Sequence, residues 1–187
     1  MDLPIKVGFE SKQTGELVAG EVRKTAYLDL FAWTSWSYGD RDEDRSWNWR
    51  AIYLDQKNAL DEYECYAAVV GNDLHGLMAL NIGRQASDQK GILVDYLATK
   101  PENRLPGTGL RYVGTALVAV ALLRSIESGK NGKVWLESLP GAQAFYESLG
   151  MESEGEKSED GNVIYRIEPE GAKRLLDKIA KKGILKL

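Results

Sequence analysis

The chain carries one cysteine and one histidine in 187 residues. Cys65 alone cannot close an intrachain disulfide, so a reducing cytoplasm is the expected home. One His and one Cys are too few for an ordinary zinc site, and a Ser-His-Asp or Cys-His hydrolase would depend on His75 alone. His75 sits in GNDLHG, between two apolar runs, and reads as an exposed hairpin residue. Long hydrophobic runs are missing too. The longest, Ala116 to Leu123, falls far short of the roughly 20 residues a spanning helix needs, so no membrane partner is expected. The opening MDLPIKVGFESK has no basic region followed by an apolar one, which excludes a secretory signal. Nor is there an excess of positive charge. Lys and Arg total 24 against 28 Asp and Glu, for a net charge of -4. That balance gives no support to nucleic-acid binding and suits a cationic substrate.

What is present is ordinary globular composition. Hydrophobic residues make up 43% and charged residues 28%, and the length fits one domain, residues 1–187. Leu17 to Ala26 alternates weakly and could open the sheet. Thr25 to Trp36 reads as a helix or a buried segment, and a charged loop then leads to a helix over Asp44 to Leu60. Glu64 to Val70 and Leu74 to Ile82 are apolar runs joined by GND, a hairpin signal. Gly91 to Thr99 is nearly continuous apolar strand, as a central position requires. Val113, Ala116, Leu117, Val120 and Leu123 give Tyr112 to Ser128 a helical period, with Arg124 at its solvent edge. Lys133 to Ser138 is the next strand, and Pro140 starts a short helix to Leu149. Glu152 to Asn162 reads as an acidic turn, Val163 to Ile167 as a last strand and Glu170 to Lys182 as a C-terminal helix. The fold class is α/β (α+β), a mixed, mostly antiparallel sheet flanked by helices.

The stretch from Gly91 to Met151 carries the functional argument. A buried strand feeds a helix through a glycine-marked loop, which gathers backbone N–H groups and a helix dipole where a phosphate would rest. One spacing occurs twice there, Arg104-x-x-Gly107-x-Gly109 and Arg111-x-x-Gly114-x-Ala116. As a bare pattern it is weak; a chain reversal alone would also use such glycines. A second motif, FYESLGM, follows the next strand. With both motifs in this order, the segment resembles the acetyl-CoA-binding core of the GNAT superfamily of N-acetyltransferases. The likeness covers about residues 64–167, leaving 1–63 as a variable acceptor-side region.

The resemblance implies an acyl-CoA N-acyltransferase fold and acetyl-CoA as cosubstrate. It implies that pyrophosphate rests on Arg111, Tyr112, Val113, Gly114, Thr115 and Ala116, with Leu105 to Gly109 inserted before them. The first repeat has the family's distance from Pro101; the second suits the distance back from Trp135, and is the one favoured. The pantetheine arm is implied between the splayed ends of strands Gly91–Thr99 and Lys133–Ser138, along Leu97, Ala98 and Thr99. Tyr146 matches the residue that protonates the departing thiolate, while Glu137 and Asp95 lie on strands that supply a base. By strand alternation Asp95, Leu97 and Thr99 share one face, and each acid could equally be a structural partner for Arg or Lys. Leu139 stands where an Asn often precedes the tyrosine helix, and Ala98 where some relatives have an acid.

The implied reaction is direct transfer to a primary amine of a small molecule, lysine or peptide N-terminus. No activated nucleophile is evident for an acyl-enzyme. Trp33, Trp36, Trp47 and Trp49 occur near Asp40, Asp42, Glu43 and Asp44, a mixture that attracts a cation; core tryptophans beside a solvated acidic loop would read the same. A CoA-binding regulatory module without catalysis is the alternative. Superfamily members often pair as homodimers, and the ILKL tail offers an interface.

Overall fold

Ile5, Val7 and Phe9 alternate with Lys6, Gly8 and Glu10, and this period of two forms β1 (Ile5–Ser11), a strand the sequence reading did not assign. A computed structural model describes residues 3–58, 63–83 and 91–185. β2 (Leu17–Lys24) follows, then α1 (Tyr27–Trp33), a 3-10 turn over Glu43–Ser46 and α2 (Trp49–Asn58). The helix expected over Asp44 to Leu60 is therefore two pieces, and its expected end lies outside the described residues. β3 (Tyr63–Val70) and β4 (Asp73–Asn81) form the hairpin, and β4 is buried from Leu74 onward. His75 lies within β4 at 8% exposure, so the exposed-hairpin reading is corrected.

β5 (Ile92–Thr99) leads through a 3-10 turn at Pro101–Arg104 and the two-residue β6 (Leu110–Arg111) into α3 (Val113–Glu127). β7 (Val134–Ser138), a 3-10 turn at Pro140–Ala142, α4 (Gln143–Ser148), β8 (Glu152–Lys157), β9 (Val163–Ile167) and α5 (Pro169–Lys181) complete the described elements. Glu152–Lys157 is a strand, where an acidic turn was expected. It has no apolar residue and pairs with β9 at the sheet edge, where charge discourages further pairing. The sheet order is β6-β1-β2-β3-β4-β5-β7-β9-β8. Among the described strands only β5 and β7 run parallel, and α3 is the crossover that such a pair requires.

α3 has no charge before Arg124 and buries nearly all of its length against β3, β4 and β5. Arg124 is not merely solvated. It binds Glu64 of β3 at 2.9 Å, and Tyr66 donates to the same carboxylate. Burial pushes the Glu64 carboxyl up, but Arg124, Tyr66 and Lys24 outweigh this and hold it below the usual range. The opposite sheet face is covered by α1, α2 and the segment between them, whose Leu30, Trp49 and Trp36 pack on Leu74, Leu77 and Ala98.

α5 runs back beside α3. Gly132, beyond the end of α3, approaches Ala172, while Lys182 lies 5.3 Å from the Tyr112 ring at its start. The chain then docks on β1: Gly8 N–H donates to the Ile184 carbonyl at 3.0 Å, and Leu185 bridges Val7. Ile184 and Leu185 are buried in their own chain, so these two residues are not free to form an interface between copies. Among the described residues no helix is long and apolar enough to cross a membrane.

Candidate functional site

β5 and β7 pair through Ile92–Val134, Leu93–Trp135 and Val94–Leu136, and there the pairing stops. The cause is visible on the other side of β5. Leu80 faces Val94 and Ala79 faces Tyr96, so Asp95 is an extra residue without a partner in β4. Such a bulge increases local twist and re-aims the strand, here away from β7. It also shifts the alternation: Ile92, Val94 and Leu97 belong to the α3 side, and Tyr96 and Ala98 to the α1–α2 side. Beyond the bulge Leu97 and Thr99 lie on the cavity side and Tyr96 and Ala98 on the other, as expected from the sequence, while Ile92 and Val94 before it are out of phase with that alternation.

Beyond the bulge the backbone has a defined polarity. Lys100 N–H donates to the His75 carbonyl at 2.8 Å. In an antiparallel ladder this turns Ala98 toward β4 and leaves the main-chain groups of Leu97 and Thr99 facing the gap. Their side opens on a cavity of about 350 Å³, lined across the gap by Leu139, Gly141, Phe145 and Tyr146. Ala98 pairs with Leu77 and does not line it. A wider basin of about 910 Å³ between β8, β9 and the start of α5 is glutamate-rich and shares no lining residue with this cavity.

Asp95 and Glu137 are both reached by solvent where the strands part. Partial burial raises the Asp95 carboxyl above its ordinary range, and the nearby Glu137 charge raises it further, although neither acid lines the cavity. Tyr146 is 6% exposed, its ring 5.0 Å from Phe145 and 6.2 Å from Tyr165. Burial pushes its phenol well above the usual value, so it is a proton donor at any physiological pH. Cys65 is half-buried in β3, its thiol pushed up to about 12 by burial, which makes it a poor nucleophile.

The second glycine repeat opens α3. Tyr112 takes a left-handed conformation with φ 70° and its carbonyl accepts from Ala116 N–H at 2.8 Å, while no side chain caps the helix. The N–H groups of Val113, Gly114 and Thr115 thus lie in the first turn, where an α-helix supplies no partners. Arg111 itself pairs with Glu10 at 2.7 Å. The first repeat has another use. Arg104 grips Asp42 at 2.9 Å and Asp44 at 2.7 Å, and donates to the Thr99 carbonyl at 2.7 Å. Burial opposes the guanidinium charge, and Asp44 and Asp42 more than offset that. The Gly141 N–H donates to Glu43 at 2.8 Å.

Asp42 and Asp44 are therefore not solvated loop acids; Asp44 is 5% exposed. Trp36 and Trp49 are core, and Tyr96 meets Trp47 and Trp49 edge-on at 5.1 and 6.3 Å. The ties of Arg104 and Gly141 join residues some sixty to a hundred positions apart, and no local sequence signal predicts them.

No protein-family model matches this sequence, and no curated protein matches it in sequence. Solved structures do match in fold. The aminoglycoside acetyltransferase AAC(6')-Ib, in complex with coenzyme A and kanamycin, superposes with a TM-score of 0.61 at 16% identity, over 82% of this chain and 96% of that one. PaiA N-acetyltransferase from Thermoplasma acidophilum, with coenzyme A, gives 0.53 at 16%, over 80% and 98%. The ribosomal-protein-S18-alanine N-acetyltransferase of Escherichia coli gives 0.54 at 17%, over 79% and 92%. The fold is thus the acyl-CoA N-acyltransferase fold of the GNAT superfamily.

Proposed function

We propose that this chain, built on the GNAT fold, is an N-acetyltransferase that moves an acetyl group from acetyl-CoA directly to a primary amine. One observation carries the reading: β5 and β7 part at Asp95, and the gap holds main chain turned away from β4 on one wall and the buried phenol of Tyr146 on the other. Acetyl-CoA would supply an activated thioester. The gap suits its pantetheine arm, because an amide-bearing chain can pair with Leu97 and Thr99 as an added strand would. The first turn of α3, with Gly114 and Thr115, suits its pyrophosphate.

Asp95 is the base in this reading. A carboxyl raised above its ordinary range, by burial first and by Glu137 beside it, accepts the proton of an attacking amine more readily than an ordinary aspartate. Tyr146 gives its proton to the departing sulfur. The same two acids at the mouth of the gap favour a cationic acceptor, a small molecule, lysine or peptide N-terminus. Leu139, with no polar group to offer the arm, favours the second reading of a CoA-binding module without turnover.

The test is calorimetric titration with acetyl-CoA, followed by thiol release with a panel of primary amines. Saturable binding with amine-dependent release supports the enzyme, and binding without release supports the module. No binding would end both readings.

A further inference from the structure

The segment Asp42–Asp44 ties the two sides of the gap together at its open end. On the β5 side, Arg104 bridges Asp42 and Asp44 while its Nη2 donates to the Thr99 carbonyl at 2.7 Å. On the far side, Glu43 Oε2 accepts from Gly141 N–H at 2.8 Å. Thr99 and Gly141 both line the cavity. The Thr99 carbonyl is one of the two β5 carbonyls turned into the gap, and the donor on it is a guanidinium N–H from this same chain. The Gly141 N–H, which would serve an amide carbonyl, already has a carboxylate.

We propose that this strap is an internal stand-in for the pantetheine arm: Arg104 and Glu43 occupy the Thr99 carbonyl and the Gly141 N–H until an amide-bearing ligand displaces them. The inference rests on the proposal that acetyl-CoA binds in the gap, and it gives Arg104 a role different from phosphate binding. The arginine of the first glycine repeat is the latch of this strap. A planar guanidinium suits this, since it can hold two carboxylates and a carbonyl at once. Cofactor entry then carries the cost of breaking those contacts, which lowers its apparent affinity in proportion to the closed population.

The test compares two ligands on the full chain. Coenzyme A has the arm, whereas adenosine 3',5'-bisphosphate lacks it and cannot compete with the strap. Dissociation constants are measured by calorimetry for wild type, Glu43→Ala and Arg104→Gln, with circular dichroism to check folding. Glu43 is exposed, so its variant retains the fold even if Arg104→Gln does not. The expected result is coenzyme A binding tightened about threefold to tenfold in Glu43→Ala, which leaves no acceptor on the Gly141 N–H, with the bisphosphate unchanged. Coenzyme A binding that is unchanged or weaker overturns the proposal, because the strap would then be only a wall of the pocket. An equal shift for both ligands overturns it as well. If wild type binds neither ligand, the acetyl-CoA reading fails first and the strap proposal falls with it.

Discussion

The ring of Phe145 lies over Gly114, so that a Cβ at position 114 would come 3.0 Å from its Cζ. The first turn of α3 and the wall of the cavity are therefore in direct contact. Alanine at 114 gains helix propensity, roughly 1 kcal/mol over glycine, and loses about as much by displacing the half-buried ring. Gly114→Ala should melt within about 1 kcal/mol of wild type yet bind acetyl-CoA several-fold more weakly, since Phe145 must move toward the gap. Gly114→Glu should abolish binding. Paired melts and titrations decide it; unchanged affinity in Gly114→Ala would remove Phe145 from the binding wall.

Removing the Tyr146 hydroxyl separates chemistry from binding. No described residue bonds to that hydroxyl, so Tyr146→Phe should leave stability within about 0.5 kcal/mol. Turnover should fall about 100-fold or more while acetyl-CoA affinity holds. Because burial raises the phenol above its ordinary value of 10, the alkaline limb of the rate profile below that pH belongs to another group. Turnover equal to wild type would take Tyr146 out of the mechanism.

The segment from β5 to α4 was legible because its signals are local. A central parallel strand is a continuous apolar run, and a buried crossover helix is apolar for most of its length. Tyr146 follows from its place in FYESLGM by resemblance. β1 was harder, since its alternation is short and, besides the neighbouring β2, it is held by β6 and the C-terminal residues far along the chain. β8 has no apolar residue and exists only by pairing with β9. The Asp95 bulge left no trace, because one extra residue in an apolar run alters register without altering composition. Arg104 was read within its repeat, and its partners Asp42 and Asp44 could be found only in space.

His75 predicts a pH dependence that glutamates cannot mimic. Asn103 Nδ2 lies 3.3 Å from its Nδ1, which assigns the proton to Nε2, 3.1 Å from Asp73. Burial lowers the imidazole below 6.5, against the opposing pull of Asp73. The unfolded chain therefore binds the proton first, and stability is complete above pH 6.5 and declines as pH falls toward the folded value. Glu64 acts in the same direction but only around and below its ordinary 4.5. Urea melts from pH 8 to 5 should show a decline that His75→Gln flattens between pH 6.5 and 5; equal slopes in both proteins would assign the decline elsewhere.

Gly8 tests how the C-terminus is held. Its N–H donates to the Ile184 carbonyl at 3.0 Å, and a Cβ there would sit 2.6 Å from the Gly183 carbonyl oxygen. That contact is with backbone, so no side-chain rotation relieves it. Gly8→Ala must push the Gly183–Leu185 segment off β1, and Ile184 and Leu185 leave the core with it. The expected loss is about 1–3 kcal/mol, with earlier proteolytic cleavage near the C-terminus. Lys182, stacked on Tyr112, transmits the change to the start of α3, so acetyl-CoA binding should weaken alongside. Limited proteolysis read by mass spectrometry, beside a thermal melt, separates the possibilities. A normal melt with an intact C-terminus would mean that β1 and the docked segment shift as one body, and that the close approach at Gly8 can be relieved without undocking.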